Sequence, residues 1–286
     1  MARRQRRYRR VGRAVAAAGA ALGTGLGACG CSGGGAAAQD APGGDPVAVL
    51  RRAADRLVEA GSSQARTSME MASGGTRVTI RGEGVYDFRQ RLGRLKVLLP
   101  PDPAGHSERR PITELLAPGA LYMKNRGAGV PADKWVRVET AGLSDGNLVT
   151  GGATDPLAAA EVLRGTRTAA YVGRTEVAGT RVRHYRGTAD LADAARDASA
   201  GNRDSLAAAA KGFAAAAVPF DVYLDDDGRI RKIRHRFSFV NGPSRDTVAV
   251  ASTALLYDFG TPVAVRLPDG EDIYAGKIAE GPGGEN

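Results

Sequence analysis

Chemistry in this chain would have to run through two cysteines, three histidines and one serine set among glycines. Cys29 and Cys31 are the only thiols in 286 residues, one residue apart. A Cys-x-Cys pair can ligate metal or cycle through a disulfide, but a structural zinc site takes four ligands, and neither His nor a further Cys lies nearby. Gly142-Leu143-Ser144-Asp145-Gly146 matches the G-x-S-x-G of hydrolases, in which the serine stands on a turn from strand into helix. The "NLVTGGATDP" that follows cannot be helical, so that context fails. His106 lies in the Pro-rich "PPDPAGHSERRP" and His184 in a strand-like stretch, at no spacing that suits a metal or a triad. The carboxylates Asp225, Asp226 and Asp227 lack the spacing and closing Glu of a calcium loop. The folded part contains neither a phosphate-binding G-x-x-x-x-G-K loop nor a G-x-G-x-x-G dinucleotide fingerprint. The expectation is a protein that is not an enzyme and takes no cofactor or metal.

What precedes the cysteines gives them another use. The first thirteen residues hold seven arginines and no acid, and residues 14–28 are small, apolar and uncharged. That is the pattern of a secretory signal, too short for the roughly 20 residues of a spanning helix. Leu26-Gly27-Ala28-Cys29 resembles the lipobox of bacterial lipoproteins. The resemblance implies a thioether-linked diacylglycerol on Cys29 and cleavage before it, leaving 1–28 as signal peptide and Cys29 as a membrane anchor on the extracytoplasmic side. Cys31 offers a competing box without the branched residue three positions before it. Arg9-Arg10 lacks the flanking residues of a twin-arginine motif, so general secretion is expected. Removing seven arginines from a chain of formal charge +9 leaves +2. The charge that would neutralise phosphates leaves with the signal, so no nucleic-acid partner is expected.

Residues 29–45 are Gly, Ala and Ser with one Pro after the lipidated Cys29, a composition that behaves as a flexible tether. The folded domain is expected over 46–276, with 277–286 a disordered tail. Asp45, Pro46 and a three- and four-residue recurrence of Val47, Leu50, Ala54, Leu57 and Val58 predict a helix ending at Gly61. "TRVTIRGEGVYDF" then alternates as a half-buried strand. Further strands are expected in "RLGRLKVLL", "GALYMKN", "KWVRVET", "TAAYVGRTEVAGTRVRHYRGT", "PFDVYLDDDGRIRKIRHRFSFV", "DTVAVASTALLYDF" and "PVAVRL", with hairpins at Ala178-Gly179 and Asp227-Gly228. "DPLAAAEVLRG" and the Ala-rich 189–217 predict helices, the second split at Gly201-Asn202, with Leu206, Ala209, Ala210 and Phe213 as its apolar stripe.

This order, with "LYMKN...DKWVRVE", "DPLAAAEVLRG", "YVGRTEVAGTRVRHYRGTADL", "FDVYLDDDGRIRKIRHRF" and "LYDFGTPVAVRLP", resembles the actinobacterial lipoproteins of the LppX/LprAFG type over residues 46–268. Their domain looks like the LolA/LolB half-barrel. The resemblance implies an α+β fold, a curved antiparallel sheet with helices across its concave face, holding the acyl chains of a lipid or glycolipid that is carried or presented in the cell envelope. Candidate cavity residues on the apolar faces are Val78, Ile80, Tyr86, Phe88, Val222, Leu224, Ile233, His235, Phe237 and Phe239. Each fits a packed core as well as a cavity wall. His235 fits a hydrogen-bonded interior histidine or a contact for a lipid headgroup, and the stripe Lys232, Arg234, Arg236 fits a solvated face or a weak attraction to anionic lipid. The alternative is an envelope-anchored protein-interaction or sensor domain on the same fold, with a partner protein and no lipid.

Overall fold

The computed structural model describes residues 44–73, 75–100, 111–125, 129–150, 154–241 and 246–276. Cys29, Cys31, the signal, most of the tether, His106 and the tail lie outside the described residues. The chain divides into two units, Met1–Gly35 and Ala36–Asn286, and every described residue belongs to the second.

The domain opens as expected, with Asp45 accepting hydrogen bonds from the Val47 and Ala48 amides and Pro46 in the first turn. Its helix is two, however: α1 (Pro46–Arg51) and α2 (Ala53–Ala60), broken where Arg52 sits at φ −91°, ψ −3°. Leu50, Ala53, Ala54 and Leu57 still share one buried face. Gly61, at φ +86°, ends α2.

Among the described residues, eleven strands follow in one open sheet: β1 (Ser62–Ser73), β2 (Thr76–Asp87), β3 (Leu92–Leu98), β4 (Ile112–Ala117), β5 (Ala120–Lys124), β6 (Trp135–Glu139), β7 (Thr166–Val177), β8 (Thr180–Asp190), β9 (Ala217–Leu224), β10 (Ile230–Asn241) and β11 (Asp246–Tyr257). The order is 6-5-4-3-2-1-11-10-9-8-7 and all neighbours are antiparallel. β1 to β6 step outward on one side and β7 to β11 step back inward on the other, so the first and last strands pair at the centre. The described residues also form the helices α3 (Pro156–Val162), α4 (Leu191–Asp197) and α5 (Ala200–Gly212). The fold class is the one expected, α+β, a curved antiparallel sheet with its helices on the concave face.

Three expectations need correction. β1 and β4 are additional strands: the inward residues of β1 are Ser63, Ala65, Thr67 and Met69, and β4 turns Glu114 inward, so neither shows a clean apolar alternation. "PVAVRL" is extended but joins no ladder; Val265 and Leu267 pack beside Leu115, Ala120, Tyr122 and Trp135. Just beyond it, Ile273 makes a parallel bridge to Trp135 and the Tyr274 amide donates to the Trp135 carbonyl at 2.8 Å, covering the β6 edge. Finally, the Ala-rich segment splits at Ala198-Ser199 rather than at Gly201-Asn202, which lies inside α5. The reason is tertiary: the carboxylate of Glu161, buried in α3, accepts from the Ser199 amide (3.2 Å), Ser199 Oγ (3.0 Å) and Asn202 Nδ2 (2.8 Å), and so fixes the start of α5.

Candidate functional site

Strand register decides which residues share the helix-covered face. Met69 pairs with Ile80 on β2 and with Ser252 on β11, and Ser252 pairs with His235 on β10, which pairs with Phe220 on β9. One step along, Met71 joins Val78 to Val250 and Phe237; the next inward pair is Val248 with Phe239. All ten candidate residues therefore lie on this face, within or against one continuous apolar cluster.

They are not equivalent. Tyr86, Phe88, Val222, Leu224, Ile233 and His235 are at most 2 % exposed. A void wide enough for an alkyl chain would leave its walls open to a water-sized sphere, so these six form a packed floor. Exposure then rises along the strands: on β2 from Tyr86 (1 %) through Ile80 (9 %) to half-buried Val78, and on β10 from Ile233 (2 %) through Phe237 (5 %) to half-buried Phe239. The register puts both gradients at the same end of the sheet, where Met71 and Leu99 are also half-buried. This apolar rim is screened on one side by Phe213, just past α5, whose ring stacks on Phe237 at 4.7 Å. Met71 lies in a strand the sequence did not disclose. It pairs with Val78, whose alternation had been legible.

Polar groups beneath the helices fall into two kinds. Some are fully used: Tyr86 Oη donates to Asp155 Oδ2 at 3.0 Å, while Asp155 also caps α3 through the Leu157 and Ala158 amides. Burial raises the Asp155 carboxyl to about 6, against the pull of these hydrogen bonds. Burial, with the Asp155 charge beside it, pushes the Tyr86 phenol well above its usual range. Others are orphaned: His235 Nε2, Thr67 Oγ1 and Ser63 Oγ are shielded from water without a hydrogen-bond partner. Burial drives the His235 imidazole down to about 3 from its ordinary 6.5, so it is neutral at pH 7.

The opposite face of the sheet is charged and open. Asp221 holds His184 (2.8 Å), Arg186 (2.9 Å) and Arg236 (2.8 Å), and although burial opposes ionisation, the three hydrogen bonds bring its carboxyl down to about 2. Arg234 pairs with Glu70 and Lys232 lies over the Tyr223 ring, so the basic stripe is largely compensated. A cleft of about 850 Å³ on this face is lined by Arg66, Arg94, Lys96, Glu83, Asn125 and Tyr257 among others. Ser144 sits exposed in a turn whose neighbour Asp145 bonds the Asn147, Val149 and Thr150 amides. The two described histidines stand on β8 and β10 and make no hydrogen bond to it. Asp225 is committed to its own hairpin, accepting from the Arg229 amide and Nε at 2.9 Å.

No protein-family description matches the chain, and no curated relative does. Among solved structures it is similar to the lipoprotein LppX of Mycobacterium tuberculosis (11% identity, 78% of this chain and 100% of that chain, TM-score 0.43). It is similar to LprF of Mycobacterium bovis as well (13%, 79% and 97%, 0.38). A third likeness is to the LolA superfamily protein NE2245 of Nitrosomonas europaea (11%, 80% and 97%, 0.33). These are proteins of the type to which the sequence resemblance pointed, and at such identities the likeness concerns the fold.

Proposed function

We propose that this chain is an extracytoplasmic lipoprotein, anchored through Cys29, that takes the acyl chains of a lipid or glycolipid against its helix-covered face and carries or presents them in the envelope. The observation that carries the reading is the apolar rim. Among the described residues, Met71, Val78, Leu99 and Phe239 leave one end of a continuous apolar face only half-buried, where a folded domain without a ligand would gain by closing it. Each methylene buried there gains about 0.8 kcal/mol against water, so a carrier needs a dry surface comparable to the bilayer. The packed floor makes this the closed form, and entry begins at the rim. A second reading has its own observation. Arg66, Arg94 and Lys96 line the outer cleft against one carboxylate, Glu83, which stands across the β2–β3 ladder from Lys96, and this positive excess suits an acidic protein partner.

Native mass spectrometry of the full chain, extracted from its own membranes in mild detergent, separates the two. A retained lipid mass that exchanges on mixing with vesicles supports the carrier. A bare protein mass that gains nothing from phospholipid or glycolipid vesicles overturns it and leaves the partner-binding reading. For the anchor, Cys29→Ala should move the protein from the membrane fraction to the medium, and unchanged membrane retention would refute it.

A further inference from the structure

His235 stands on the helix-covered face among Phe220, Phe237 and Met69, 1 % exposed, with Nε2 unpartnered. Across the β10–β11 ladder its partner is Ser252, whose Oγ meets Thr154 Oγ1 at 2.5 Å; Thr154 Oγ1 in turn donates to the Leu148 carbonyl at 2.9 Å. Thr154 thereby spends its proton on the carbonyl and Ser252 spends its own on Thr154, which leaves lone pairs on the Oγ of the residue directly across the ladder from His235. Phe220, Phe237 and Met69 surround the spot, and two strands away Thr67 Oγ1 is likewise orphaned. His235 Nε2 and Thr67 Oγ1 are both shut off from bulk solvent.

Orphaned polar atoms in a packed face cost stability unless some other state satisfies them. A hydroxyl is the group that fits, because it both donates and accepts and so suits either tautomer of a neutral histidine and the lone pairs of Ser252. Resting on the lipid reading above, we infer that His235 and Ser252 form a polar recess that selects an acyl chain bearing a mid-chain hydroxyl, reached when the helices lift from the floor.

The test uses stearic acid and a series of its hydroxylated isomers, each displacing a fluorescent fatty acid from the full chain. At least one isomer should bind about ten-fold more tightly than stearate, with an optimum at one hydroxyl position. In His235→Phe, and in the smaller His235→Leu, that advantage should shrink to within two-fold while stearate still binds. Binding of stearate with every isomer equal to it overturns this inference alone. If the fluorescent fatty acid itself does not bind and stearate and its isomers give no bound mass, the lipid reading fails and takes the inference with it; a bound probe that no isomer displaces better than stearate overturns the inference alone.

Discussion

At the residue scale, two buried groups give stability a pH dependence of opposite sign. The folded His235 resists protonation until about pH 3, whereas the unfolded chain takes the proton near 6.5. The unfolded state therefore binds more protons in that window, and stability present above pH 6.5 is lost as pH falls. Asp155 behaves oppositely: its folded carboxyl titrates at about 6 against 3.8, so its contribution is fully present below 3.8 and lost as pH rises through 6. Urea unfolding at pH 4 to 8 should show His235→Phe losing less stability than wild type on acidification. Asp155→Asn keeps a cap and an acceptor for Tyr86, so its gain over wild type should grow from pH 4 to pH 7. Parallel curves for wild type and either variant would mean that the group is not buried as described.

Among the elements, the helices decide whether the floor stays closed, and their attachment is polar as much as apolar. α3 carries Ala158, Ala159 and Ala160, short side chains that bring it close to the sheet while filling little volume. Glu161 ties α3 to the start of α5, and Phe213 at the far end of α5 shields the rim. Glu161→Ala would leave the Ser199 and Asn202 donors without their acceptor, at a cost of about 2 kcal/mol. Since α5 carries the shield, the variant should also bind a hydrophobic dye more strongly at temperatures well below unfolding. Loss of stability without extra dye binding would show that α5 does not gate the rim.

On the scale of the whole molecule, the sheet opposes two surfaces of different character, apolar beneath helices and charged toward solvent, and only the first grades from sealed to open. If the rim is the entrance, Met71→Gln and Val78→Thr should weaken acyl-probe binding at least five-fold. Both sites are already half in water, so global stability should change by no more than about 1 kcal/mol. Equal losses in binding and stability would mark the rim as ordinary core.

The sequence by itself determined the elements whose signals are local. Asp-Pro starts fixed the beginnings of α1 and α3, Asp227-Gly228 and Ala178-Gly179 fixed two hairpins, and strict alternation identified β2 and β10 with the face their residues share. Tertiary structure alone decided what depends on partners distant in the chain. β1 reads as polar until its small inward residues meet β2 and β11; the break before α5 is set by a carboxylate 38 residues earlier. Most of all, alternation says which side chains turn inward but carries no information on the separation between the sheet and its cover. Whether Val222 packs tightly while Val78 stays half open is fixed only when the helices settle, because packing is a property of both surfaces together.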